Sequence, residues 1–317
     1  MTDYHFETLA IRTQTERSQH KEHSTPLFLS SSFVFDSAEE GAGLFSGELE
    51  GNLYSRFSNP NTDEFVRKLC ALERCESGIA TASGMAAVYL SFVPFLQQGD
   101  HVVVSSAIFG NTRHIVSEIL PKMGVEFTYV SVEDNQQWEE AIRPNTRILY
   151  VETPSNPTLK TADLSFLGKL CANHEILFVV DNCFATPYLQ NPVDFGADLV
   201  VHSATKYLDG QGRVLGGAIV GKKEPVSLAY DFLRRTGASL SPFNAWVLSK
   251  SLETLALRME RHCGNAQSLS CYLQQHEDVE QVIYPGSKTY AQYVLSASQM
   301  RMGGALVGME IKGGINR

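Results

Sequence analysis

The sequence predicts an α/β protein with a mostly parallel sheet, and the order and composition of its segments carry that prediction. Between about residues 62 and 220, stretches with helical periodicity alternate with short apolar runs rich in β-branched and aromatic residues. Strands joined by crossover helices give this pattern. The runs are continuously apolar rather than alternating, as expected of strands that are buried on both faces. A chain of 317 residues exceeds the size of most single cores, so two domains are expected.

The central domain is expected to span residues 61–242. Its predicted helices are 62–75, 84–97, 112–123, 135–142 and 164–172, and its predicted strands are 101–105, 126–130, 148–152, 176–181, 199–202 and 218–220.

The two flanking regions differ from this domain. Residues 1–60 show no sustained period and several turn signals, which predicts an extended N-terminal arm that contacts a neighbouring subunit. After residue 242, a helical stretch over 243–276 leads into apolar runs at 279–284 and 305–310. Residues 243–317 are therefore predicted to form the start of a C-terminal α+β domain, whose pattern stops abruptly at residues 313–317.

Composition and charge exclude several classes of protein. The 26 basic and 35 acidic residues give a formal net charge of −9, which disfavours nucleic-acid and anionic-membrane partners. The six cysteines include no CxxC pair, so neither a zinc ribbon nor a disulfide framework is indicated, and reduced thiols fit a cytoplasmic protein. The polar N-terminus lacks the apolar stretch of a signal peptide, and no apolar run reaches membrane-spanning length.

A lysine and two hydroxyls follow the predicted strand 199–202. If this segment is extended, Ser203 and Thr205 project to one side and Lys206 to the other. Two hydroxyls beside a lysine can hold a phosphate and offer an amine to an aldehyde, as a pyridoxal phosphate enzyme requires. Alone the motif is weak, because a lysine snorkelling from a strand end gives the same pattern.

Asp181 strengthens the cofactor hypothesis. It ends an apolar run, and a carboxylate there needs a partner to offset its desolvation. A protonated pyridine nitrogen is such a partner, whereas a turn aspartate next to Asn182 is the simpler alternative. Ligands in open α/β sheets collect at the carboxyl ends of the strands, so Asp181 and Lys206 are expected in one cleft.

Three further segments have both a ligand-binding and a simpler interpretation. Gly84 begins a helix whose free N–H groups favour a phosphate, although N-capping by Ser83 needs no ligand. In the arm, Arg56 and Tyr54 either contact a phosphate or form a surface turn. Two prolines fix a turn that either presents Asn156 to a ligand or simply ends a strand.

These segments resemble the Cys/Met-metabolism family of pyridoxal phosphate enzymes, the cystathionine γ-synthase-like group. The resemblance rests on five motifs in the family's order, YSRFSNPN (54–61), ASGM (82–85), ETPSNPTL (152–159), VVDNCFATP (179–187) and HSATKYLDG (202–210). It implies the aspartate aminotransferase fold (fold type I) with a seven-stranded type of sheet, pyridoxal 5'-phosphate as cofactor, and a homo-oligomer that is at least a dimer and is expected to be a tetramer.

The resemblance also implies residue roles. Lys206 would bind the cofactor aldehyde and move protons, Asp181 would pair with the pyridine nitrogen, Phe109 would stack on the ring, and Asn156 would lie near its phenolic oxygen. The implied phosphate contacts are Gly84, Met85, Ser203 and Thr205, together with Tyr54 and Arg56 of a neighbouring subunit, where Tyr54 would also assist catalysis.

Details within the family favour one activity. Phe109 stands where the family usually has a tyrosine, and Asn111 stands where methionine γ-lyases have a cysteine. The stretches 209–213 and 240–246 look most like O-succinylhomoserine sulfhydrylases. The resemblance therefore implies γ-replacement on O-succinylhomoserine by sulfide, giving homocysteine and succinate in methionine biosynthesis. Cystathionine γ-synthase and methionine γ-lyase activities are the alternatives.

A hypothesis of another class also stands. The family's chains normally continue several dozen residues past the position of Arg317 and carry there a serine and an arginine that clamp the substrate carboxylate. No residue of this chain matches them. A cofactor-binding remnant without turnover is therefore the second hypothesis, and a longer active parent chain is the third.

Overall fold

The computed structural model describes residues 4–314. The α-helices of this range are α1 (Phe6–Arg12), α2 (Ala38–Ser46), α3 (Pro60–Glu73), α4 (Gly84–Leu90), α5 (Gly110–His114), α6 (Asn135–Glu140), α7 (Leu164–His174), α8 (Thr186–Leu189), α9 (Lys223–Thr236), α10 (Pro242–Leu252), α11 (Leu255–Leu273) and α12 (Tyr293–Gln299). Its strands are β1 (Ser77–Thr81), β2 (His101–Ser105), β3 (Glu126–Val130), β4 (Thr146–Glu152), β5 (Leu177–Asp181), β6 (Leu199–His202), β7 (Gly217–Gly221), β8 (Val279–Ile283) and β9 (Gly308–Ile311).

Seven strands form one sheet in the order β1-β7-β6-β5-β4-β2-β3. Strands β2 to β6 run parallel to one another, and only β7 is antiparallel to its two neighbours. Because β1 and β6 both oppose β7, the carboxyl ends of all strands except β7 lie at one edge. The predicted α/β fold with a mostly parallel sheet is confirmed.

Two hydrophobic clusters cover the two faces of the sheet. Val103 and Phe178 belong to one cluster, and their strand neighbours Val102 and Val179 belong to the other. Successive side chains of a strand point to opposite faces, so strands buried on both sides need apolar residues at every position. This burial explains the continuous apolar runs of the sequence.

Some elements differ from the sequence-based expectation. Strand β1 and helix α9 were not predicted. The helix expected over 84–97 ends at Leu90, and a short 3-10 turn at Val93–Phe95 follows it. The helical stretch over 243–276 is divided into α10 and α11.

The first 60 residues contain two short helices and are not extended throughout. Helix α1 packs on the main domain, where Ala10 is buried in a core cluster. Farther along the arm, the Phe28 amide donates to the side-chain carbonyl of Asn61 at 2.8 Å.

In the C-terminal region, β8 and β9 form a separate antiparallel pair. None of the helices within residues 4–314 has the length and apolar character needed to cross a membrane.

Candidate active site

One cavity of about 280 Å³ opens at the edge of the sheet where β4, β5 and β6 end and α4 begins. Eight predicted site residues line it: Gly84, Met85, Phe109, Asn156, Asp181, Ser203, Thr205 and Lys206. Residues from five separate segments of the chain thus meet in one place. Asn111 also lines the cavity.

Asp181 is the buried carboxylate of this cavity, with 8% of its surface exposed. The Tyr150 hydroxyl donates to its Oδ2 at 3.2 Å, and the Cys183 amide donates to its Oδ1 at 3.0 Å. Burial raises the pKa of Asp181, although the Cys183 amide, the nearby His202 and the Tyr150 hydroxyl lower it in part. A cation in the cavity would therefore stabilise the ionised form of Asp181.

Glu152 is a second buried carboxylate, which sequence reasoning did not select. It lies opposite Asp181 in the register of β4 and β5. Burial and the charge of Asp181 raise its pKa well above the usual range. Its sequence signal equals that of Asp181, since each is an acid at the end of an apolar run.

The lysine segment differs from the extended form considered for it. The Lys206 amide donates to the Ser203 carbonyl at 3.1 Å, and the Gly210 amide donates to the Lys206 carbonyl at 2.7 Å. The chain therefore turns directly after β6, and Ser203, Thr205 and Lys206 all line the same cavity. The expectation that Lys206 points away from the hydroxyls is wrong, because the alternation of an extended strand does not apply in a turn.

The amino end of α4 lies against Ser203. A Cβ added to Gly84 would stand 2.5 Å from Ser203 Cβ, so only glycine permits this approach. Ser83 caps the helix by accepting from the Ala86 amide at 3.1 Å. The first amides of a helix have no acceptor within it, and they favour an anion such as a phosphate.

Thr205 is already bonded within the chain. Its hydroxyl lies 3.2 Å from both the amide and the carbonyl of Gly216. A hydroxyl has a single proton to donate, and that of Thr205 is already directed at the Gly216 carbonyl. Thr205 is therefore a weaker hydrogen-bond donor to a phosphate than Ser203.

Tyr54 and Arg56 do not line this cavity and contribute instead to a separate groove of about 540 Å³. The Arg56 guanidinium lies 4.6 Å from the centre of the Phe57 ring and donates to the Arg234 carbonyl. Within one chain, therefore, the structure does not bring these two predicted phosphate contacts to the other eight residues.

The lining fits pyridoxal phosphate. A buried carboxylate, Asp181, suits a protonated pyridine nitrogen, and Lys206 supplies an amine for the aldehyde. Ser203 and the amino end of α4 suit the phosphate, and Phe109 offers an aromatic face.

Fold and cavity together define a pyridoxal-phosphate-dependent enzyme of fold type I. The family model described as Cys/Met metabolism PLP-dependent enzyme matches residues 7–317. The chain belongs to this family, which confirms both the resemblance and the cofactor.

Relatives with different activities are similar to the chain. It is 42% identical to an O-succinylhomoserine sulfhydrylase of Pseudomonas aeruginosa over 309 residues, which cover 98% of this chain and 77% of the relative. It is 38% identical to an L-methionine gamma-lyase of Treponema denticola over 314 residues, covering 98% and 78%. A solved structure of a putative O-acetylhomoserine (thiol)-lyase from Campylobacter jejuni, with N'-pyridoxyl-lysine-5'-monophosphate, has a TM-score of 0.94 at 31% identity, covering 98% and 86%.

Proposed function

We propose that this chain catalyses γ-replacement on O-succinylhomoserine with sulfide, giving homocysteine and succinate. Similarity alone does not separate this reaction from γ-elimination of methionine. The observation that carries the proposal is the identity of the aromatic residue at position 109 in the cavity lining. Phe109 has no hydroxyl, and within residues 4–314 no tyrosine lines the cavity.

The two reactions differ in what their leaving groups need. Succinate leaves as a carboxylate, whose conjugate acid has a pKa of about 4, whereas a thiolate has a conjugate acid with a pKa of about 8.5 or more. A thiolate therefore depends much more on a proton donor during bond cleavage. Burial raises the pKa of the Cys183 thiol far above the usual range, so Cys183 is a poor donor. A cavity lined by Phe109 therefore favours cleavage of the succinyl ester over cleavage of the methionine thioether.

Each cavity residue has a role in this proposal. The cofactor, when bound, supplies an electron sink for the substrate carbanion. Lys206 takes the proton from the substrate Cα and moves protons at Cβ. Asp181 stays ionised beside the pyridine nitrogen, and Asn156 orients the substrate carboxylate. Ser203 and the first amides of α4 hold the phosphate.

The working unit in this proposal contains at least two copies of the chain. Several apolar side chains of the arm are exposed, Leu29 by 69%, Val34 by 96% and Phe45 by 65%. Exposed apolar residues of one segment are typical of an interface, and Tyr54 and Arg56 lie outside this chain's own cavity. They supply phosphate contacts to the second copy. Sedimentation equilibrium tests this directly, and a monomer at micromolar concentration that binds the cofactor tightly would contradict it.

The activity test compares leaving groups in the wild-type chain and in Phe109→Tyr. We expect homocysteine and succinate from O-succinylhomoserine with sulfide, and a kcat/KM for methionine elimination lower by about a hundredfold, roughly 2.7 kcal/mol in barrier height. Phe109→Tyr should raise methionine elimination and change the ester reaction only a few-fold.

Other outcomes favour the alternatives. Methionine elimination as fast as ester turnover in the wild type would overturn the proposal. Cystathionine formed from cysteine in preference to homocysteine would assign the nucleophile differently, and O-acetylhomoserine tests the acyl group. Bound cofactor without any turnover would support the remnant hypothesis.

A further inference from the structure

Glu152 contacts two loops of the cavity and has no role in the reaction described above. It is the last residue of β4, with 4% of its surface exposed. Its Oε2 accepts from the Phe109 amide at 2.8 Å, and its Oε1 accepts from the Asn156 amide at 2.8 Å. One carboxylate thus joins the loop after β2 to the turn after β4.

Only a carboxylate suits this position. It is an acceptor with two equivalent oxygens, and the two amides approach one oxygen each. Hydrogen bonds to an ionised acceptor are shorter and stronger than neutral ones. A neutral amide side chain has a single acceptor oxygen, so it satisfies one of the two loops and faces the other with a donor.

An ionised carboxylate at this position also carries a free-energy cost. Burial of a carboxylate beside a second one, Asp181, opposes ionisation, and the pKa of Glu152 is raised for this reason. The two amides offset part of that cost.

We infer that Glu152 is a positioning residue that fixes Phe109 and Asn156 relative to each other, and so aligns the aromatic face that stacks on the cofactor ring with the side chain at the ring's edge. The inference rests on the proposed function in one respect, the contact of Phe109 and Asn156 with the bound cofactor. It does not depend on which leaving group or thiol the enzyme uses.

The test uses the near-isosteric variant Glu152→Gln in the full chain. Asp198→Asn is the matched control, because the Asp198 carboxylate also accepts from a backbone amide, that of Phe178 at 2.7 Å. Asp198 lies at the end of the sheet opposite the cavity, where the parallel strands begin, beside the amino end of β5. Each substitution removes a charged group that accepts a hydrogen bond from a backbone amide, but of the two residues only Glu152 lines the cavity.

Cofactor-free protein is titrated with pyridoxal phosphate and followed by visible absorbance and circular dichroism. Glu152→Gln should weaken binding about tenfold or more, as expected for the loss of one charge-assisted hydrogen bond, and should reduce the visible dichroism of the bound ring. Asp198→Asn should change the dissociation constant less than about twofold. Wild-type affinity and dichroism in Glu152→Gln would overturn the inference, as would an equal loss in Asp198→Asn.

A double-mutant cycle separates positioning from general destabilisation. Phe109→Ala removes the ring but keeps the backbone amide that Glu152 binds. If Glu152 acts through the ring, Glu152→Gln should cost much less affinity in the Phe109→Ala background than in the wild type. Additive losses would refute the inference. Should Glu152→Gln fail to fold, Glu152→Asp takes its place, since its carboxylate is one methylene shorter and cannot reach both amides.

These results separate the two proposals. Normal cofactor binding in Glu152→Gln refutes the positioning role whatever reaction the enzyme catalyses. Rapid methionine elimination by the wild type refutes the proposed reaction and leaves the cofactor titration unaffected.

Discussion

Replacing Gly84 by alanine tests whether the contact between α4 and the lysine turn builds the phosphate site. A Cβ at this position would lie 2.5 Å from Ser203 Cβ and 2.8 Å from Ser203 Cα, whereas ordinary contact begins at 3.4 Å. The helix end and the turn must therefore separate by about 0.9 Å, as these figures require. The second of these atoms belongs to the backbone, so no rotamer change relieves the clash.

Two opposing free-energy terms decide the outcome of Gly84→Ala. Alanine in place of glycine stabilises a helix by about 0.5–1 kcal/mol. Overpacking in a closely packed site costs about 1–3 kcal/mol. The cost of overpacking should exceed the gain in helix stability, so the free energy of unfolding should fall by about 1 kcal/mol, within the range of those two estimates. Cofactor affinity should fall about tenfold, because Ser203 and the first helix amides no longer reach one phosphate together.

Urea unfolding of the cofactor-free protein and titration with pyridoxal phosphate measure the two effects. Gly264→Ala is the control, since Gly264 lies within α11 and a Cβ there meets nothing within 4 Å. It should gain about 0.5–1 kcal/mol of stability and bind the cofactor normally. Gly84→Ala with wild-type stability and affinity would refute the reasoning, because the two segments would then be free to move apart at no cost.

Two further predictions concern Lys206 and His101. Lys206→Ala should abolish both cofactor trapping by borohydride and turnover, since the amine that binds the aldehyde is gone, and mass spectrometry of the reduced protein checks this; normal turnover would contradict the assignment. His101 is buried between the hydroxyls of Thr146 and Thr128, each at 2.9 Å, and burial, followed by the charge of Arg143, lowers its pKa from 6.5 to about 4. The unfolded chain then binds a proton that the folded chain does not, so the free energy of unfolding should fall as pH drops from 6.5 to 4, and His101→Gln should make that fall shallower in urea titrations.

The sequence predicted the central strands well, and the reason is burial on both faces. The bounds of β2 and β6, whose residues are all buried, agree with the predicted ranges. The bounds of β3 agree as well, although this edge strand is only partly buried. Strand β1 has the sequence SGIAT, in which only Ile79 is a large apolar residue. Its strand conformation depends on antiparallel pairing with β7, a long-range contact that local composition does not encode.

Helix α9 is a different case, because its signal was present. Val226, Ala229 and Leu233 are its buried residues, at the spacing of one helical face. Charged residues lie mainly at the two ends of this segment, and they give it a polar composition: Lys222, Lys223, Glu224, Arg234 and Arg235. Here the periodicity carried more information than the composition.

The cavity residues were predictable as types of residue, but their arrangement was not. Asp181 is predictable because a carboxylate at the end of a buried strand needs a partner, and Lys206 because two hydroxyls beside a lysine can hold a phosphate and offer an amine to an aldehyde. The argument for Asp181 applies equally to Glu152, the last residue of β4. The turn after β6 could not be predicted, since it depends on hydrogen bonds from the Lys206 amide to the Ser203 carbonyl and from the Gly210 amide to the Lys206 carbonyl.

The net charge of −9 and the binding of an anionic cofactor are compatible because they act over different distances. Fields of exposed charges are screened beyond about 8 Å at physiological ionic strength, so the overall charge acts mainly on extended partners such as nucleic acids. A phosphate against Ser203 and the helix amides experiences donors at contact distance. Elsewhere in the same cavity, the buried carboxylate of Asp181 would favour a cationic ring nitrogen. Opposite electrostatic preferences within one cavity would orient a ligand that carries both charges.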